Sequence, residues 1–395
     1  MLQTKKLGEV CKVFTDGNWI ESKDQSRDGI RLIQTGNVGV GVFKDRGEKA
    51  RYISEKTFNR LRCTEIFKGD CLISRLPDPV GRACILPNTG ERMITAVDCS
   101  IARFDPLKII PRYFNYYSQS NLYLDAVAGK TSGTTRTRIS RKNLGEIEIP
   151  LPPLTEQKRI VKILDEVFEK IEKAKANTEK NLQNSRELFE SYLQGVFANP
   201  GEGWKLIRLD TVCAIASKLV DPREKRFLNM RHVGAGNIQA KTGELIDVKT
   251  AKEEKLISGK FIFDKNMVLY SKIRPYLMKV VRPDFDGLCS ADIYPLLPDE
   301  KTLNRDFLYY LLLTSGFTKY AILGSDRAGM PKVNREHLFA FEFLLPPFPE
   351  QKAIVKKLDA LAGETKKLEE IYAKKLACLD ELKKSILQQA FAGEL

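Results

Sequence analysis

A stretch that occurs twice constrains this chain more than any other feature. Leu151-Pro152-Pro153-Leu154-Thr155-Glu156-Gln157-Lys158 begins one copy, which runs on to Val196-Phe197-Ala198. Leu345-Pro346-Pro347-Phe348-Pro349-Glu350-Gln351-Lys352 begins the other, which runs on to Ala390-Phe391-Ala392. An offset of 194 residues aligns the two without a gap, placing Ile160-Val161-Lys162 on Ile354-Val355-Lys356 and Leu164-Asp165 on Leu358-Asp359. An offset near half of a 395-residue chain marks a duplicated unit.

Each copy reads as a long amphipathic helix. In the first, Ile160, Leu164, Val167, Ile171 and Ala174 recur at the alternating spacing of a coiled-coil seam. The pattern passes a break in phase near Thr178 and continues through Leu182, Leu188, Tyr192 and Val196. Thr155 is the expected N-cap. The second helix carries Ile354, Leu358, Leu361, Leu368, Leu376 and Leu382 in the same register. About 44 residues of helix span roughly 66 Å, too long for a compact domain of this size to enclose. If the two seams pair, the second helix runs back antiparallel to the first.

Ahead of each helix lies a segment of short strands and turns. Val10–Phe14, Ile30–Gln34, Cys71–Ser74 and Arg82–Leu86 have strand composition. Pro111–Leu124 is aromatic at helical spacing after an acceptable proline start. The second half repeats the order. Leu209-Asp210-Thr211-Val212-Cys213 follows Leu7-Gly8-Glu9-Val10-Cys11, and Asn266–Lys272 follows Asp70–Arg75 with a one-residue shift at the end. Cys99-Ser100 matches Cys289-Ser290, and Arg112-x-Phe114-x-Tyr116-Tyr117 matches Arg305-x-Phe307-x-Tyr309-Tyr310. The expected division is therefore 1–150, 151–198, 199–344 and 345–395: domain, helix, domain, helix.

Lys and Arg exceed Asp and Glu by 14, which makes a polyanion the first partner to consider. Charge alone fits simple solubility equally well. No secretion signal or membrane-length apolar run is visible, so a cytoplasmic protein without a membrane partner is expected. Eight cysteines occur with no Cys-x-x-Cys pair, and two histidines cannot complete a structural zinc site. No catalytic constellation emerges. Leu345 replaces the hydrogen-bond acceptor that a Pro-Pro-aromatic methyltransferase motif requires, and Asp299-Glu300-Lys301 sits in turn chemistry.

The halves differ most in their loops. The first carries Lys130, Thr131, Ser132, Thr134, Thr135, Arg136 and Arg138, where the second carries Arg327 and Lys332. Lys272, Arg274 and Lys279 surround Tyr276 without an intervening acid. With Arg75 and Arg82, these are the candidate DNA-binding residues: cations neutralise phosphates, and Arg, Ser and Thr can read base edges.

The duplicated Leu-Pro-Pro-x-x-Glu-Gln-Lys stretch, the long helices behind it and the Gly69–Arg75 strand together resemble the specificity subunits of type I restriction-modification systems, over the full length. The resemblance implies an α+β chain with two β-rich target-recognition domains, separated by two antiparallel coiled-coil helices in a pseudo-twofold arrangement. It further implies a non-catalytic subunit that reads a bipartite, asymmetric target in double-stranded DNA. Two modification (methyltransferase) subunits and restriction/translocase subunits would be its partners. No cofactor would sit on this chain; S-adenosylmethionine, ATP and Mg would belong to the partners. The competing reading is a coiled-coil protein–protein adaptor whose basic charge is incidental.

Overall fold

The computed structural model describes residues 3–133, 137–215, 217–325 and 331–395. The chain divides into two compact units, Met1–Glu179 with Ala373–Leu395, and Lys180–Tyr372. Each unit holds one β-rich domain and parts of both long helices.

In the first unit, strands Cys11–Asp16, Cys99–Phe104, Cys71–Ser74 and Ala83–Ile85 form one sheet in that order. A second sheet runs Tyr52–Ile53, Ile30–Ile33, Met93–Thr95, Glu65–Ile66, with the middle pair parallel. Thr4–Lys6 pairs antiparallel with Glu148–Pro150, closing the domain beside the outgoing helix. The second unit repeats this plan. Cys213–Ala214, Ile293–Pro298, Val268–Ser271 and Val280–Val281 form its first sheet. Its second sheet again has a parallel central pair, Arg231–Val233 with Gly287–Ser290, and adds Leu219–Val220 at one edge. Lys205–Arg208 pairs with Glu342–Leu345 as the closing ribbon.

Ladder hydrogen bonds fix the correspondence between halves and correct two sequence matches, and the bounds of the aromatic helices correct a third. Ser74 pairs with Cys99, and Ser271 pairs with Ile293, so Cys99 corresponds to Ile293 and not to Cys289. Cys71 pairs with Ala102, and Val268 with Leu296, which puts Met267, not Asn266, at the place of Asp70. The aromatic helices are Pro111–Tyr117 and Arg305–Leu312, so the Arg-x-Phe-x-Tyr-Tyr identity is one residue out of register. A short identical string carries less positional information than a ladder, because a one-residue slip would turn every side chain to the wrong face. From Asp98 onward the 194-residue offset of the helices holds in the strands as well.

The aromatic segment Pro111–Leu124 is two helices, Pro111–Tyr117 and Asn121–Ala128, because Ser120 caps the second through its side chain on Tyr123 N–H. Tyr113, Phe114 and Tyr123 are fully buried and pack with Ile160, Leu164, Phe168 and Ile171 of the first long helix. Leu387, Ala390 and Phe391, from the end of the second long helix, complete that core. Phe307, Leu308 and Phe317 pack the same way with Leu193, Val355 and Leu358 in the second unit.

The long helices are continuous from Leu154 to Ala198 and from Phe348 to Ala392. Thr155 lies inside the first helix, not at its cap. Within the first unit the two helices run antiparallel: Glu172 meets Lys383 at 3.1 Å and Lys175 meets Asp380. In the second unit Arg186 meets Glu369 at 3.1 Å. Among the described residues no helix is long and apolar enough to cross a membrane.

Candidate nucleic-acid interface

The joint between domain and helix is built around a glutamine. Gln157 and Gln351 are each 0% exposed. Gln157 Oε1 accepts from Ile110 N–H at 2.9 Å, while Nε2 donates to the carbonyls of Lys108 (3.0 Å) and Pro152 (2.9 Å). Gln351 repeats all three bonds: Asn304 N–H (2.8 Å), Thr302 O (2.9 Å) and Pro346 O (2.9 Å). A side-chain amide offers an acceptor and two donors in one plane, which a carboxylate or an ammonium cannot. The proline pair before it supplies a carbonyl but no competing N–H and stops backward helix growth.

About two turns further on, Asp165 receives Arg112 at 2.7 Å and the Tyr116 hydroxyl. Asp359 receives the Tyr310 hydroxyl at 2.7 Å and Arg282 at 2.5 Å. The arginine comes from different elements in the two halves, while the tyrosine and aspartate correspond. Burial and the bond to Asp165 push the Tyr116 hydroxyl up to about 12, so it is a permanent donor. Burial opposes the charge of Arg282, yet Asp359 and Asp306 hold its pKa above the ordinary arginine value.

The cationic candidates of the two halves fall on equivalent places. Arg75 N–H donates to Asp98 O at 2.9 Å, and Lys272 N–H donates to Asp292 O at 3.0 Å. Arg138 pairs with the Asp98 carboxylate at 2.8 Å, and Lys332 with that of Asp292 at 2.9 Å. In the second domain Lys272 and Lys332 share Asp292, whereas in the first Arg138 takes Asp98 and the Arg75 guanidinium pairs with Asp16 at 3.3 Å. Burial lowers the pKa of Arg75, and burial together with Lys332 lowers that of Lys272. Lys272 lies 3.8 Å from Asp292 and over the Tyr294 ring at 5.1 Å. One aspartate for two lysines leaves net positive charge at the cluster of the second domain, which an anionic ligand would balance.

Other candidates have different tasks. Arg82 is buried and donates to four carbonyls, of Thr35, Val38, Leu76 and Pro79, at 2.6–3.1 Å. Its counterpart Lys279 donates to Ala235 O at 2.5 Å. Both tie neighbouring loops together. Lys130, Ser132 and Arg138 are exposed, and Ser132 bridges Arg138 through the backbone. Thr131 is half-buried and donates to Ala128 O at 2.8 Å. Arg274 and Tyr276 are exposed. Thr134, Thr135, Arg136 and Arg327 lie outside the described residues.

On the helices, Ile160, Leu164, Ile171 and Leu358 are buried; Val167, Leu182, Ile354, Leu361 and Leu376 are half-buried. Leu188, Leu368 and Leu382 face solvent, Leu188 at 58% exposed. Buried Thr178, Ser185 and Thr365 take inward places instead. Thr178 and Ser185 satisfy their hydroxyls on the carbonyls four residues back, at 2.7 and 2.8 Å.

Sequence reasoning did not assign roles to Gln157, Gln351, Asp98 or Asp292. The glutamines stand at identical places in both copies of the repeat, a signal available from the start. The aspartates were hidden by the misplaced Cys-Ser match.

Comparison with known proteins agrees with this geometry. The model of the type I restriction modification DNA specificity domain matches residues 2–181 and 201–374. The EcoDI specificity subunit of Escherichia coli is 29% identical over 326 residues, 74% of this chain and 71% of that one. The MjaVIII specificity subunit of Methanocaldococcus jannaschii is 26% identical, covering 73% of this chain and 71% of its own. Among solved structures, a chain from a study of the assembly of the type I R-M system has TM-score 0.79 at 18% identity, covering 100% of this chain and 98% of that one. The HsdS subunit of Thermoanaerobacter tengcongensis has TM-score 0.61 at 19% identity, covering 100% and 97%. With two copies of the domain arranged on a duplicated scaffold, the chain belongs to the type I restriction-modification DNA specificity family.

Proposed function

We propose that the chain is the DNA-reading subunit of a type I restriction-modification complex and recognises a split, asymmetric target, one half-site per domain. The observation that carries this is the matched placing of cations: Arg75 and Lys272 bond through the backbone to Asp98 and Asp292, and Arg138 and Lys332 pair with the carboxylates of the same two aspartates. The same scaffold presents cations at the same places in both domains, while the loops beside them differ. Phosphate contacts from such cations set position and register, and unlike loops read unlike base edges.

In this reading the chain performs no chemistry. Two methyltransferase subunits dock on it and bring S-adenosylmethionine, and restriction/translocase subunits bring ATP and Mg. Its working site is the cytoplasm, where the DNA is. The names of its relatives and the net charge of +14 support this assignment. The rival role, a coiled-coil adaptor, needs no duplex binding at all.

Salt dependence separates the two. If each domain neutralises three to five phosphates, duplex affinity of the assembled complex falls about 10³–10⁵-fold between 50 and 200 mM salt. A titration monitored by fluorescence anisotropy measures this. Absence of binding at low salt would establish the adaptor.

A further inference from the structure

The duplication lets the chain serve as its own comparison. In both halves six residues separate equivalent cations: Leu76–Gly81 between Arg75 and Arg82, and Ile273–Met278 between Lys272 and Lys279. The roots of these loops are held alike. Ser74 N–H donates to Arg82 O at 2.9 Å, and Ser271 N–H donates to Lys279 O at 3.0 Å. Ser74 Oγ donates to Leu76 O at 3.1 Å, and Ser271 Oγ donates to Ile273 O at 3.4 Å.

Between the roots the chemistry is unlike. The first loop carries Pro77-Asp78-Pro79, with an acid and no cation. The second carries Arg274-Pro275-Tyr276, with both flanking side chains exposed. Arg274 and Met278 both have φ of 50°, a left-handed conformation that non-glycine residues adopt reluctantly. In the first loop Gly81 takes the place of Met278, with φ of 86° and no such strain. The strained tip is anchored: Arg274 N–H donates to Pro331 O at 2.8 Å, and Ile273 bridges Lys332. It therefore stands beside the lysine that pairs with Asp292.

We propose that Arg274 and Tyr276 determine the half-site read by residues 199–344, with Arg274 on a guanine edge and Tyr276 packed beside it. The planar guanidinium fork matches O6 and N7 of guanine in the major groove. A tip whose backbone is already fixed loses little freedom on docking. Lys272 and Lys332, flanking it, hold the phosphates. The first domain has Asp78 between prolines at this place, so its half-site is read from other loops.

This inference rests on the DNA-reading function proposed above, and one experiment separates the two. The full chain, assembled with its methyltransferase subunits, selects from a duplex library randomised across the target. Arg274→Ala and Arg274→Lys are expected to relax one guanine position in one half-site, about 10-fold or more, leaving the other half-site and the gap unchanged. Lys332→Ala is expected to weaken all sequences evenly and reduce the salt slope by about one. Arg274→Lys keeps the charge and decides the matter if Arg274→Ala fails to assemble. An unchanged motif in the Arg274 variants, or an even weakening across all sequences, overturns the inference. A wild-type complex that selects no motif overturns the DNA-reading function and the inference with it.

Discussion

Gln351 shows how one residue can hold a domain to its helix. Its three bonds satisfy one backbone N–H and two carbonyls that lie 5 to 49 residues away in sequence. The glutamine was visible in the sequence as a repeated letter; its role was not, because its partners are main-chain atoms that any residue could supply. Gln351→Ala leaves those groups buried and unpaired, and is expected to destabilise the second domain by on the order of 3 kcal/mol. Gln351→Glu keeps the acceptor but sets a carboxylate against two carbonyls, and is expected to cost at least as much. Urea denaturation measures both. Losses under about 0.5 kcal/mol in the two variants would show that the joint is held by something else.

At the scale of elements, the existence of the two helices was fully legible and their seam was only partly so. Ile160, Leu164 and Ile171 are buried, packed under the aromatic helices of the first domain. Beyond Thr178 the choice of Leu188 fails, because Ser185 and Phe189 turn inward. A small buried serine with its hydroxyl bonded to Asn181 O carries no hydrophobic signal, so a pattern built on leucine skips it. The strands tell a similar story. Their composition located them, but the Cys-Ser match misassigned register, which cross-strand hydrogen bonds define. Leu164→Ala, at a fully buried position, is expected to cost about 2–5 kcal/mol. Leu188→Ala is expected to stay within about 0.5 kcal/mol. Thermal unfolding of the two variants distinguishes this seam from the strict heptad, which predicts comparable losses.

For the whole molecule, the duplication carries the functional argument. Two domains share sheet order, a parallel central pair, a closing ribbon and a glutamine joint, while their exposed loops diverge. A shared frame with separate reading loops lets each domain change its target without rebuilding its attachment to the helices. That was readable in outline from the repeat and the charge, whereas the matched pairing of Arg138 with Asp98 and of Lys332 with Asp292 required the fold. The most direct test exchanges residues 199–344 for the corresponding domain of another family member, followed by methylation-sensitive sequencing of DNA from cells that also carry the partner subunits. The expected result is a methylated split motif with two unlike half-sites, in which the exchange replaces one half-site and leaves the other unchanged. An unsplit motif, or an exchange that alters both half-sites or neither, would contradict one half-site per domain.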